Sequence, residues 1–259
     1  MSRKSIFATA NVFVRSVVFN VSFYVFIVVW LIAGLPLFLS NRGVRQRYIA
    51  RLNRGVFWLM RTICRLDLAV TGRENIPPGR LLVAAKHQSA IDNFIVWSLF
   101  PDPTYILKRE LRLVPLLGWW IKAMRMIPVD RGGGPSVHKE LSKCVAAELA
   151  ENRQVMIFPE GTRKAPGSPP DYKRGVALLY MNSGAPCLPV ALDTGLYWPR
   201  RSFMRWPGTI RIEILPAIEP GLRRDAFLAL LQERIETATN RMLMEASQST
   251  GAAGRLKPS

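Results

Sequence analysis

The chain has 259 residues, with 36 Lys or Arg against 18 Asp or Glu, a formal net charge of +18, and three cysteines. That length holds one large domain or two small ones with a proper core; an odd, sparse cysteine count without C-x-x-C or Cys/His ligand spacing excludes a disulfide framework and a structural zinc site. The basic excess favours anionic partners, whether nucleic acid, phospholipid surfaces or phosphorylated and acidic substrates, without choosing among them.

Residues 1–66 carry ten Lys or Arg and no acid; the first carboxylate is Asp67. Between Arg15 and Arg42 lie 26 consecutive uncharged residues, 16–41. At about 1.5 Å per helical residue this run can cross a hydrocarbon core of about 30 Å. It exceeds the roughly 7–15 apolar residues of a signal peptide, and no small-x-small cleavage site follows it. It therefore reads as a retained, membrane-embedded helical segment. Seven arginines follow within 42–65, against Arg3, Lys4 and Arg15 before the run, so the positive-inside rule faces the rest of the chain to the cytoplasm. Gly34 and Pro36 can break the helix, which leaves a re-entrant hairpin open beside a full crossing. Over 44–65, Val44, Tyr48, Leu52, Val56, Met60 and Ile63 recur every three or four residues among arginines. That pattern fits an amphipathic helix in the headgroup layer, or a solvated basic helix packed on the domain.

From Asp67 onward β-rich runs alternate with helical ones. The expected strands are 68–72, 81–86, 104–109, 126–130, 154–159, 187–192 and 209–215; the expected helices are 90–100, 116–124, 136–151, 174–183 and 224–246. Such alternation predicts an α/β domain over 67–246, a mixed and largely parallel sheet flanked by helices. Residues 247–259 read as a disordered tail. The stretch "RKAPGSPPDYKRG" (163–175) is too rich in Pro, Gly and charge to be regular, and "RGGGPS" (131–136) reads as a flexible connector. In open α/β sheets, ligand-binding groups gather beyond the strand ends. The most unusual residues fall there, after 86, 108, 130 and 159.

The stretch "LLVAAKHQSAIDNF" (81–94) places His87, one of two histidines, where a strand turns into a helix. Ser89 and Asp92 have capping-box spacing, with Ser89 as the N-cap, and His87 is then an ordinary turn residue. In the other reading Asp92 fixes the tautomer of His87 and leaves its second nitrogen as a base. Such a base can deprotonate an alcohol attacking an activated acyl group, and no serine or cysteine nucleophile with its own base is evident. The pair alone leaves both readings open. His138 reads as an exposed helix residue, and Cys64, Cys144 and Cys187 as inert and buried.

"HQSAID" resembles the H-x-x-x-x-D motif of the glycerolipid acyltransferases. "LKRELRLVPLLGWW…IPVDR" (107–131), "FPEGTR" (158–163) and "CLPVAL" (187–192) resemble that family's second, third and fourth blocks, in the family's order, over roughly residues 70–220. By pattern the chain is similar to the bacterial members that acylate 1-acylglycerol 3-phosphate. The resemblance implies His87 as general base on the free hydroxyl of lysophosphatidic acid and Asp92 as its orienting partner. It implies Lys108 and Arg163 as phosphate ligands, with Glu160, Gly161 and Thr162 shaping that pocket and Arg131 either binding phosphate or bracing Asp130. Arg163 suits the role because its planar fork matches phosphate oxygens. For Glu160, an ion pair with a neighbouring arginine stands beside direct substrate contact. Where many members have Asn before the histidine this chain has Lys86, a second cation beside His87 that can signal a different acceptor.

The expected enzyme needs no metal or resident cofactor and takes acyl-CoA or acyl–acyl carrier protein as co-substrate. Its place is the cytoplasmic (inner) membrane, with no nucleic-acid partner. A different lysolipid, such as lyso-ornithine lipid, is the alternative acceptor. A non-enzymatic, membrane-anchored basic module is the alternative of another class, supported by the arginines of 42–65 and "RRSFMR" (200–205) near Trp198 and Trp206.

Overall fold

The computed structural model describes residues 3–130, 132 and 134–250. Helix α1 (Arg3–Ala33) takes up most of the apolar run and stops at Gly34, where Leu35–Leu39 forms a 3₁₀ turn containing Pro36. Pro36 has no N–H with which to continue the helical ladder. Gly34 meets a second demand: a Cβ there would lie 2.5 Å from the rings of both Trp120 and Tyr48. Asn41 then caps helix α2 (Arg42–Leu59), its side-chain oxygen accepting the Val44 N–H at 3.0 Å. A π turn at Met60–Cys64 extends α2 to Arg65, which closes it in a left-handed conformation at φ 52°. Tyr48 Oη donates to the Trp30 carbonyl (2.7 Å), Gly55 sits against the Phe26 ring, and Arg15 Nε donates to the Ile63 carbonyl (2.6 Å). Partner numbers fall along α1 as they rise along α2, so the two helices form an antiparallel hairpin.

The following elements are β1 (Leu66–Thr71), β2 (Leu81–Ala85), α3 (Asp92–Ser98), β3 (Pro103–Lys108), α4 (Leu117–Ala123), β4 (Ile127–Val129), α5 (Pro135–Ala150), β5 (Gln154–Ile157), α6 (Arg174–Ser183), β6 (Cys187–Leu192), β7 (Gly208–Ile214) and α7 (Arg224–Thr250). The strands make one seven-stranded sheet in the order β1-β7-β6-β2-β5-β3-β4. From β6 to β4 all neighbours are parallel; β7 is antiparallel to β6 and parallel to β1. The C-terminal ends of β6, β2, β5, β3 and β4 therefore share one edge, and the segments that follow them converge there.

Alternate side chains of a strand face opposite sides of the sheet, and both sides here are covered. Leu81, Val83 and Ala85 of β2, with Leu188, Val190 and Leu192 of β6, pack toward the α1–α3 layer. Leu82 and Ala84 of β2 pack instead with Val145 and Leu149 of α5, Tyr180 of α6 and Phe227 of α7. Helix α1 belongs to the first layer along one face only. Phe19 and Phe23 stand edge-on to Trp198, each with centroids 5.3 Å apart. Between them Asn20 donates to the Phe203 carbonyl (3.0 Å) and accepts from Arg205 (2.8 Å). The opposite face, with Val14, Val18, Val21, Val25 and Val29, is exposed and apolar. Thr9–Ala33, of mean hydropathy 2.3, is long and apolar enough to cross a membrane.

Each strand and helix expected from the sequence is present, and ends agree within two residues except at the close of α7. One alternative is decided and one expectation corrected. The apolar run 16–41 breaks where the sequence allows it, as Gly34 and Pro36 end α1 and start a turn. The expected tail begins too early, since buried Met242, Leu243 and Ala246 keep α7 packed and helical to Thr250; residues 251–259 lie outside the described residues. Gly72, at φ 75° after β1, admits no side chain, as a Cβ would lie 2.0 Å from the Ile214 carbonyl oxygen. Gly72→Ala should cost about 1–3 kcal/mol through strain and overlap, seen as a lowered thermal midpoint in micelles; an unchanged midpoint would contradict this packing.

Candidate active site

The chain leaves β2 at Ala85, and the Lys86 N–H still donates to the Val190 carbonyl of β6 at 2.9 Å. Strand alternation continues through the exit. His87 follows Val83 and Ala85 to one side of the sheet and stacks on Phe158, with centroids 3.8 Å apart and planes at 14°. Lys86 follows Leu82 and Ala84 to the other side and reaches α7. The expectation of Lys86 as a second cation beside His87 is thus corrected: its ammonium lies between Glu160 (3.0 Å) and Glu236 (2.7 Å).

His87 Nδ1 lies 2.9 Å from Asp92 Oδ2. The same oxygen accepts the backbone N–H groups of Gln88 (2.7 Å) and Ser89 (2.8 Å), and Oδ1 accepts the Thr194 hydroxyl at 2.6 Å. Asp92 is fully buried and acts as an acceptor at both oxygens. The shared proton therefore belongs to Nδ1, and Nε2 carries the lone pair. The His87 side chain keeps 14% of its surface, and Nε2 has no partner among the described residues. The capping box forms only by half. Ile91 holds the N-cap position, Ser89 Oγ accepts the Ile91 N–H at 3.4 Å, and Asp92 reaches back to Ser89. One carboxylate both closes the turn and orients the imidazole, so the two sequence readings are one contact.

The third block turns directly after β5. Gly161, at φ 64°, donates its N–H to the Phe158 carbonyl at 2.9 Å, and a Cβ there would meet only Lys173 Cγ at 3.9 Å. The left-handed conformation, rather than crowding, calls for glycine. Next along the loop Lys164 N–H donates to the His87 carbonyl at 2.8 Å, which joins the loop to the imidazole's own backbone. Thr162 is exposed and Arg163 half-buried. The Arg163 guanidinium has no hydrogen bond or ion pair among the described residues, while its carbonyl accepts from Arg200 at 2.9 Å. Glu160 is buried and its ion pair is with Lys86, not with an arginine. Lys108 ends β3 with its ammonium exposed and 3.0 Å from Glu110, a type of pair that water weakens. Arg131 lies outside the described residues; Asp130 before it accepts the Gly132 N–H at 3.0 Å. His138 is exposed on α5, as expected.

Sequence reasoning misses Phe158 as the stacking partner, and also Thr194, Gly195 and Glu236. The one available signal for Thr194 is its position two residues beyond the fourth block. Parallel pairing of β2 with β6 sets that strand end beside His87. Gly195 N–H donates to Gln88 Oε1 at 3.0 Å, and a Cβ on Gly195 would lie 2.7 Å from Pro166. Asp193 is buried against Arg211 (2.9 Å), and burial pushes its carboxyl up to about 6 even so. Burial also raises the thiols of Cys64, to about 11, and Cys187. Cys144 on α5 is half-buried rather than buried. Among the described residues no three His, Cys, Asp or Glu side chains gather as a metal site.

Known proteins are similar in sequence, and one solved structure shares the fold. A protein-family model described as Acyltransferase matches residues 67–193. The chain is 34% identical over 206 residues to a 1-acyl-sn-glycerol-3-phosphate acyltransferase of Pseudomonas aeruginosa, covering 80% of each chain. It is 30% identical over 165 residues to a plant protein of the same name from Limnanthes alba, covering 63% of this chain and 57% of that one. The crystal structure of the 1-acyl-sn-glycerophosphate acyltransferase of Thermotoga maritima superposes with a TM-score of 0.73, covering 88% of this chain and 96% of that one at 23% identity, and so shares the fold. With 34% identity over an alignment that spans four fifths of the Pseudomonas relative, the chain belongs to the acyltransferase family that includes the 1-acyl-sn-glycerol-3-phosphate acyltransferases.

Proposed function

We propose that this protein transfers a fatty acyl group from acyl-CoA or acyl–acyl carrier protein to the 2-hydroxyl of 1-acylglycerol 3-phosphate, forming phosphatidic acid. The observation that carries the reading is the orientation of His87. Its Nδ1 is held by Asp92 at 2.9 Å, while among the described residues Nε2 has no partner and the nearby loop carries Arg163 with its guanidinium unpaired. Nε2 takes the hydroxyl proton as the lipid oxygen attacks the thioester carbonyl. The tetrahedral adduct then expels the thiolate, and the imidazolium returns the proton to sulfur. Asp92 stabilises the transient imidazolium. No acyl-enzyme is needed, which agrees with the raised thiols of Cys64 and Cys187. Arg163 offers a bidentate fork for the acceptor's phosphate, and Lys108 can exchange Glu110 for it.

Membrane attachment follows from the shape of α1. Its exposed valine face suits hydrocarbon, and the Pseudomonas relative acts by name on a lipid. The helix is held to the α/β domain at two places, near Ser16, whose hydroxyl accepts the Arg205 N–H (2.8 Å), and near Leu31, whose carbonyl accepts the Trp120 Nε1–H (3.1 Å). A crossing helix would pull that domain into lipid, so the contacts favour a helix embedded in the cytoplasmic leaflet of the inner membrane.

Three outcomes are expected. With lysophosphatidic acid and oleoyl-CoA, His87→Ala should lower kcat by about 10²–10⁴-fold and Asp92→Asn nearly as much; near-normal turnover by His87→Ala would refute the base. Arg163→Ala should raise the acceptor KM about tenfold or more while kcat changes less, whereas an unaltered KM would remove the phosphate role and reopen acceptors without a phosphomonoester. An N-terminal epitope tag should be accessible from the cytoplasmic side, the same side as the domain; periplasmic exposure would establish a crossing.

A further inference from the structure

Lys86 has no part in the chemistry above, yet it is a lysine buried immediately before His87. Its side chain keeps only 3% of its surface, and the ammonium lies 3.0 Å from Glu160 Oε1 and 2.7 Å from Glu236 Oε1. Tyr172 donates its hydroxyl to the same Glu236 oxygen at 2.9 Å. Two carboxylates thus converge on one cation where water screens little. Burial raises the Glu160 carboxyl and repulsion from Glu236 adds to the rise, against the attraction of Lys86.

The members of this cluster come from segments that must be held together. Glu160 stands in the turn between Phe158, which stacks on the imidazole, and Arg163. Tyr172 stands at the far end of the same loop, where Lys173 N–H closes onto the Pro159 carbonyl at 2.9 Å. Glu236 comes from α7, beyond the residues that match the family model. The cluster therefore grips both feet of the loop and ties them to the exit of β2 and to the C-terminal helix.

We infer that Lys86, Glu160 and Glu236 form a positioning cluster through which α7 sets the turn that presents Arg163 to the acceptor's phosphate. The inference rests on the phosphate role proposed for Arg163. None of the three touches the reacting atoms. Without the ammonium, two carboxylates that shared one nitrogen repel each other, Glu160 shifts, and the turn goes with it. The hold of Asp92 on His87 uses other groups, so the loss should fall on acceptor binding more than on turnover.

The test uses the full chain in micelles, with lysophosphatidic acid and oleoyl-CoA varied in turn. Lys86→Met should raise the acceptor KM about tenfold, with the donor KM unchanged and kcat within about threefold. In an Arg163→Ala background the same change should add less than about twofold, as expected for groups acting through one another. Glu236→Ala, at the less buried edge of the cluster, should raise the acceptor KM about threefold; if Lys86→Met does not fold, this variant decides alone. An unchanged acceptor KM, a parallel rise in both KM values, or full multiplication of the Lys86 and Arg163 losses would overturn the inference. A wild-type protein inactive on lysophosphatidic acid would instead overturn the proposed reaction, and the variants would then be judged by lysophosphatidic acid binding alone.

Discussion

The buried carboxylate of Asp92 is the constraint around which the site is arranged. A carboxylate removed from water is costly unless its lone pairs are filled, and here four donors fill them: an imidazole, two backbone N–H groups and a hydroxyl. Charge-assisted hydrogen bonds of this kind are the stronger class. Three of the donors lie within five residues of Asp92, so the turn after β2 cannot open without stranding the acid. The fourth, Thr194, comes from the end of β6, so the acid is satisfied only when β2 and β6 are paired. The orientation of His87 is in this sense a by-product of making the acid's burial tolerable.

The sheet does the rest of the assembly. Five parallel strands deliver their exits to one edge, bringing the segments after Ala85, Lys108, Val129, Ile157 and Leu192 together from across the chain. The pleat then sorts neighbours. Consecutive residues at the β2 exit serve opposite sides, His87 toward Phe158 and the α1–α3 layer, Lys86 toward α7. A cation and a base adjacent in sequence are thereby kept apart by backbone geometry alone.

Much of this is legible in the chain of letters. The strand and helix pattern stands out because both faces of the sheet are covered, so strands such as "LLVAA" and "CLPVAL" read as short continuous apolar runs between polar breaks. The His87–Asp92 contact is legible because it is local, closing over five residues. Thr194 is not, because it meets Asp92 across 102 residues and only strand pairing brings it there. Glu236 is harder still, 150 residues from Lys86 on a helix with no motif of its own. Reading Lys86 as a neighbour of His87 fails for a simple reason: adjacency in sequence means opposition in a strand. The apolar N-terminal run shows its length plainly, but its attachment along the domain depends on Trp198, Phe203 and Arg205, which no hydropathy window includes.

That attachment bears on how the protein is handled. Ser16 Oγ accepts the Arg205 N–H at 2.8 Å, and Arg205 lies over Trp198 at 4.3 Å, only a few residues downstream of Thr194. The greasy helix and the fourth donor to Asp92 are therefore two ends of one short strap. Extraction with a harsh surfactant that peels the helix away would loosen the strap as well, so solubilisation is not a neutral step for this molecule, and gentle lipid-like media preserve more than solubility.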